Sequence, residues 1–382
     1  MAAVPLAFVT ACTATGTASD ASPVAATVVR QSQAELEVLP RSDATGVRPD
    51  QAVSVVSVNG RLSDVVVRPT SGPPLAGRFS PDRTTWTATA GLLPLGTSYV
   101  VQAQAVDAAG YGKVVRSTFT TVTPKATLRT VITPGNGSRV GVGMPIRVQF
   151  TAPVADRQAV EERLSVTTSV PVEGDWRWTG AKEAIWRPRE LWPAGTDVEV
   201  RLALAGTDAG AGVWGDRDRV LRFSVADAMV STVDIAKHTM TVRRNGAVLK
   251  VLPITTGKEG FETRNGVKVI MSKERTRVMD SATIDIPAGS PDSYRLEVEY
   301  AMRLTYSGEF IHAAPWSVRQ QGRANVSHGC TGMSLANAAW LYSVSRPGDV
   351  VRYVGGQRSL ESWNGYTAWN VPWERWLTDT DA

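Results

Sequence analysis

Cysteine and histidine are scarce in this 382-residue chain, and most of what there is lies together. The chain has two cysteines, Cys12 and Cys330, and three histidines. Two of the histidines sit shortly before Cys330. The segment runs Phe310-Ile311-His312-Ala313-Ala314-Pro315-Trp316 and then Asn325-Val326-Ser327-His328-Gly329-Cys330. A deprotonated thiol is the strongest nucleophile a side chain offers at neutral pH, and an imidazole nearby can take its proton. Cys330 is therefore the candidate nucleophile and His312 the candidate base. Ser327, His328 and Gly329 complete the candidate catalytic set. A tight Gly turn at a strand-to-helix junction exposes the sulfur and frees the N–H groups of Gly329 and Cys330 to face an oxyanion. That is a thiol acyl-transfer site.

Two other readings of these residues stay open. One is a buried structural cysteine with incidental histidines. The other is a zinc site on His312, His328 and Cys330, although no fourth ligand or catalytic Glu stands nearby. No cofactor or metal is expected. The third histidine, His238, follows Lys237 in a hairpin and should be solvent-exposed.

The elements that position this set are short strands. From Met229, the apolar residues Val230, Val233, Ile235, Met240 and Val242 lead to Asn245-Gly246. Val248, Val251 and Ile254 lead out of that turn, giving a hairpin. Further strands run through Tyr306 and Phe310. Ser334 is a plausible N-cap for one helix, with Leu335, Ala338, Ala339 and Tyr342 at helical spacing up to Val344. Arg346-Pro347-Gly348-Asp349 ends it. The tail from 354 carries Trp363, Trp369, Trp373 and Trp376, which need the flank of the preceding domain to pack on.

Upstream, a repeat recurs at about 100 residues. Leu93-Pro94-Leu95-Gly96-Thr97 is echoed by Trp192-Pro193-Ala194-Gly195-Thr196, and Trp86 by Trp186. Two β-sandwiches of immunoglobulin-like size explain it. Neither gathers catalytic side chains, so both read as spacers. Residues 13–45 are small and polar and read as a flexible tether. The expected fold class is mainly β: two immunoglobulin-like β-sandwich domains (46–123 and 124–226), a β-rich catalytic domain (227–353) with one helix after the catalytic cysteine, and a Trp-rich carboxy-terminal extension (354–382).

Bulk composition agrees. The length suits two or three domains. Hydrophobic residues at 43% and charged residues at 20% describe a folded soluble protein, and 33 Gly with 22 Pro favour strands and turns over long helices. No run of 18 or more apolar residues is present to span a bilayer. The net charge of +5 suits an anionic polymer, but the basic residues are scattered. Nucleic-acid binding is not expected.

Val9-Thr10-Ala11-Cys12 resembles a bacterial lipobox, which makes residues 1–12 a lipoprotein signal remnant and Cys12 the lipidation site. No Lys or Arg precedes it. The segment Ser327-His328-Gly329-Cys330, with His-x-Ala-Pro-Trp upstream, resembles the L,D-transpeptidase family with its YkuD-type catalytic fold. The likeness is greatest to mycobacterial lipoprotein forms that carry two immunoglobulin-like domains. The resemblance implies an enzyme that cross-links peptidoglycan stem peptides 3→3. It would act through a Cys330 thioester, release D-alanine, and take carbapenem β-lactams as covalent inhibitors. It would sit outside the cytoplasm, lipid-anchored to the outer face of the membrane within the wall. The resemblance further implies that the Ala313 carbonyl orients His312 and that Tyr294 serves the oxyanion side. Ser307 and Gly308 would line the substrate, with Met279 and Trp316 in the pocket. One departure stands out: most relatives carry Asn two residues after the cysteine, and this chain has Gly332. Hydrolysis of stems, a non-catalytic wall-binding role and a sortase-like thiol peptidase remain as alternatives.

Overall fold

The computed structural model describes residues 30–378 apart from 285 and 288, so Cys12 and the segment 1–12 lie outside the described residues. The chain forms two compact units. The first holds residues up to Asp43 with Ala52–Thr89 and Tyr99–Thr118, and the second holds Ala44–Gln51, Ala90–Ser98 and Phe119 onward. No described helix is long and apolar enough to cross a membrane.

The first unit is built of antiparallel strands. Glu35–Leu39 pairs with Ser54–Val58, which pairs with Thr85–Ala88. The tether therefore ends earlier than the composition suggested. Glu35-Leu36-Glu37-Val38-Leu39 alternates charged and apolar residues, and Val38 is buried on one face. Asn59, in the turn that leaves the next strand, takes the positive φ of 57°.

The second unit opens with another sandwich, whose core is filled by Trp178, Trp186, Trp192 and Phe223 among aliphatic residues. The repeat appears in both sandwiches as the same packing device. A Cβ on Gly77 would lie 2.0 Å from the Trp86 ring, and one on Gly174 would lie 2.2 Å from the Trp186 ring. In each, a glycine in the neighbouring strand leaves room for the indole to lie flat across it. Gly96 and Gly195 likewise both donate their N–H to the strand that closes their repeat, at Val122 and Val225.

The catalytic region supplies two further sheets, whose strands are numbered here from its start. β1 (Met229–Asp234), β2 (Thr239–Arg244), β3 (Ala247–Pro253), β4 (Gly266–Val269) and β9 (Val350–Val354) form one sheet in the order β3-β2-β1-β9-β4. β5 (Ser272–Asp280), β6 (Arg295–Arg303), β7 (Phe310–Ala313) and β8 (Thr331–Met333) form the other in that order. Asn245-Gly246 makes the β2–β3 turn, with φ of 49° and 83°. Helix α1 (Leu335–Val344) starts at Ser334, whose hydroxyl accepts the Asn337 N–H. Its buried residues are Ala338 and Leu341, while Leu335 is exposed. Ala338 and Leu341 share a core with Ile311, Ala313 and Met333, so the helix backs the strands that carry the site.

The Trp-rich extension packs on the second sandwich through Trp369, Trp373 and Trp376 and on the catalytic domain through residues such as Asn364 and Asn370, not on the catalytic domain alone. Arg187, buried in that sandwich, lies 5.2, 5.1 and 4.7 Å from the rings of Trp369, Trp373 and Trp376. A guanidinium against indole faces is held electrostatically, and burial pulls the Arg187 pKa down to about 10. Trp369 donates to the Gly143 carbonyl at 2.8 Å, and Trp376 donates to the Asp175 carbonyl at 3.1 Å. Trp363 stays exposed.

Candidate active site

Strand alternation places the reacting groups. In β7, Ile311 and Ala313 enter the core shared with α1, so Phe310 and His312 face the other way. β7 and β8 pair in parallel with His312 opposite Gly332. Cys330 lies two residues before Gly332, on the face His312 uses. Both side chains line a cavity of about 180 Å³, together with Tyr294, Met279, Trp316 and Thr255.

The two groups rest in defined protonation states. His312 is buried, and its Nδ1 lies 2.7 Å from the Ala313 carbonyl. A carbonyl only accepts, so Nδ1 carries the proton and Nε2 is left as the basic nitrogen. Burial lowers the His312 pKa, which keeps the imidazole neutral. Burial pushes the Cys330 thiol up to about 12, partly offset by a hydrogen bond from the Phe310 N–H. The thiol donates to the Gly308 carbonyl at 3.6 Å. The resting pair is a neutral thiol and a neutral imidazole. Burial also raises Tyr294 to about 12, so its phenol remains a donor through the physiological range.

The other expected site residues divide by what they touch. Ser327 Oγ donates to the Cys330 carbonyl at 2.6 Å and accepts the Gly329 N–H at 3.2 Å. Ser327 thus shapes the turn, and the Gly329 N–H, expected to face an oxyanion, is already engaged. Gly329 has φ +116°, a conformation that favours glycine, and its carbonyl accepts from buried Thr263 at 2.8 Å. His328, expected in the catalytic set, points its Nε2 at Asp292, 3.3 Å away, between the rings of Phe261 and Tyr294. It fastens the β5–β6 connection over the cavity, and Lys258 binds the same Asp292 oxygen at 2.5 Å. Among the described residues no three His, Cys, Asp or Glu side chains converge as metal ligands, and the zinc reading fails on the direction of His328. Trp316 stands at the rim, 58% exposed, with its ring 6.1 Å from that of His312.

Ser307 and Gly308 do not line the cavity as expected. The Ser307 hydroxyl is taken by Asn364 at 2.9 Å, and Gly308 contributes the carbonyl that receives the thiol. His238 is half-buried rather than exposed, and its Nδ1 faces Asn325 Oδ1 at 2.9 Å. The same oxygen accepts from the Thr256 hydroxyl and N–H, so Asn325 moors the loop leading to Cys330. At Gly332 any side chain is crowded: a Cβ would lie 2.9 Å from Ala314 Cβ and 3.0 Å from Thr255 Cγ2.

Sequence reasoning missed the charges beneath the cysteine. Lys268, with no side-chain exposure, pairs with buried Glu309, which also binds Arg264 at 3.1 Å. Glu309 directly follows Gly308, so the pair sits against the thiol's partner. Nothing in the sequence sets Lys268 apart from the other scattered charges, because its burial comes from the packing of β4.

Comparison with known proteins matches two parts of the chain. Residues 228–352 match the family model described as the L,D-transpeptidase catalytic domain, and residues 44–208 match that of a bacterial Ig domain. L,D-transpeptidase 2 of Mycobacterium tuberculosis is 38% identical over 336 residues, covering 87% of this chain and 81% of that protein. L,D-transpeptidase 1 of the same organism is 42% identical over 224 residues, covering 59% of this chain and 84% of that one. Among solved structures, an L,D-transpeptidase in complex with imipenem aligns with a TM-score of 0.53 and 41% identity, covering 60% of this chain and all of that one.

Proposed function

Because the chain belongs to the L,D-transpeptidase family of cysteine acyltransferases, we propose that it joins peptidoglycan stem peptides 3→3 through a thioester on Cys330. The observation that carries this reading is the parallel β7–β8 register. It sets Cys330 and His312 on one face of the cavity, with His312 Nδ1 committed to Ala313. As the Cys330 sulfur attacks the carbonyl of the third stem residue, its proton passes to His312 Nε2. The Cys330 N–H and the Tyr294 hydroxyl are the donors left for the developing oxyanion. Collapse breaks the bond to the terminal D-alanine, whose amine leaves with the proton from His312. The side-chain amine of a second stem then attacks the thioester and loses a proton to His312. The thiol is released reprotonated. The neutral resting pair suits this sequence, because neither Cys330 nor His312 carries a charge until substrate arrives.

The same thioester chemistry makes carbapenems covalent inhibitors here, as the imipenem complex of the similar enzyme supports. Val9-Thr10-Ala11-Cys12 supports a diacylated amino terminus that holds the enzyme at the outer face of the cell membrane, with the β-sandwiches as spacers. Cys12→Ala should release the protein from a detergent-phase extract into the aqueous phase, and unchanged partitioning refutes the anchor. For the reaction, purified enzyme is incubated with disaccharide-tetrapeptide and the products are separated by mass. A dimer that has lost one D-alanine supports the proposal. Tripeptide alone means hydrolysis, and unchanged substrate refutes both.

A further inference from the structure

The turn bearing Gly308 is gripped from the carboxy-terminal extension. Asn364 is wholly buried. Its Oδ1 accepts the Ser307 N–H at 2.9 Å, and its Nδ2 donates to Ser307 Oγ at 2.9 Å and to Glu361 Oε2 at 2.8 Å. That Glu361 oxygen also accepts from Arg264 Nε at 2.6 Å, and Arg264 continues to Glu309. The extension therefore reaches both neighbours of Gly308: Ser307 directly, and Glu309 through one arginine. Close backbone approach completes the grip, since a Cβ on Gly365 would lie 2.9 Å from the Leu304 carbonyl. Gly308 itself has φ +97° and presents the carbonyl that receives the thiol.

We propose that Asn364 and Glu361 are positioning residues of the active site. They fix the Ser307–Gly308–Glu309 turn, so that its carbonyl keeps the Cys330 thiol on the cavity face that His312 shares. This rests on the reading of Cys330 as the nucleophile. Asn364 is suited to the task. A carboxamide has an acceptor for the Ser307 N–H and donors for both Ser307 Oγ and Glu361, and no other side chain of its size matches all three. Without it, the Ser307 N–H loses its partner, and the turn is free to rotate its carbonyl away from the sulfur. A thiol turned off that face then reacts only through its pre-formed thiolate.

The test is the acylation of full-length protein by imipenem, followed from pH 6 to 9. It compares wild type with Asn364→Ala, Glu361→Ala, Glu361→Gln and Trp376→Ala, with Tm recorded for each. Trp376 anchors the same extension away from the turn. Asn364→Ala and Glu361→Ala should lower the saturating acylation rate at least tenfold with little change in apparent affinity, and their rates should come to rise with pH. Glu361→Gln keeps an oxygen to accept from Arg264 and Asn364, and should recover most of the rate. Trp376→Ala should lower Tm while keeping the wild-type rate and pH profile. Wild-type rate and profile in Asn364→Ala, or an equal loss in Trp376→Ala, overturns the proposal. Should Asn364→Ala not fold, equal rates in Glu361→Ala and Glu361→Gln overturn it. A wild type that imipenem never acylates removes the nucleophile reading first, and this inference with it.

Discussion

The neutral Cys330–His312 pair predicts an unusual pH dependence of acylation. With its thiol pushed up to about 12, the resting enzyme at pH 7 holds thiolate in roughly one molecule in 100,000, against a few per cent for an ordinary free cysteine. If only pre-formed thiolate reacted, the rate would climb about tenfold per pH unit, or about 1,000-fold from pH 6 to pH 9. The proposed mechanism instead gives the proton a destination in His312, which shares the cavity, has Nε2 free to accept, and is held neutral by burial. The reactive form, neutral thiol beside neutral imidazole, is then dominant from about pH 6.5 upward. Stopped-flow acylation by imipenem should show a plateau between pH 7 and 9 and a fall only on the acid side, where His312 protonates. A thiolate–imidazolium resting pair would instead lose rate on the alkaline side, as the imidazolium gives up its proton. A slope near one from pH 6 to 9, or an alkaline decline in that range, refutes the neutral pair. His312→Gln should restore the thiolate slope at a rate lowered by about 100-fold or more.

Gly332→Ala should cost about 1–3 kcal/mol in urea denaturation, because the added Cβ overlaps Ala314 and Thr255; a neutral outcome contradicts the crowding. Arg187→Ala should cost about 2–4 kcal/mol and red-shift tryptophan emission, since three indoles lose the cation they pack on; unchanged emission contradicts that packing. Burial raises Asp349 to about 7, so its native form binds a proton that the unfolded chain releases near pH 4. Its contribution is full below that pH and is lost as pH rises to about 7, up to about 4 kcal/mol in all. Asp349→Asn should flatten this dependence, and a wild-type minus variant difference that stays constant from pH 4.5 to 8 speaks against it.

The candidate site was legible because its parts are local. His312 and Cys330 sit in two short segments, the Ser334 cap and Asn245-Gly246 are local backbone signals, and the repeat marks both sandwiches. What stayed hidden depends on contacts between distant segments. Nothing near Asn364 in sequence says that it binds Ser307, and Lys268 reads as one more scattered charge until β4 buries it beside Glu309. His328 looked catalytic by proximity, yet its ring follows Asp292, which sequence places in an unrelated connection. The first strand was missed for a different reason. Its alternation at Glu35–Leu39 is clear, but it follows directly on a tract of small polar residues.

The central claim is the thioester on Cys330, and intact-protein mass spectrometry with a tetrapeptide stem tests it most directly. Wild type should gain the mass of the stem less D-alanine, His312→Ala should gain it far more slowly, and Cys330→Ala should never gain it. An adduct that persists in Cys330→Ala, or no adduct on folded wild type, contradicts the account.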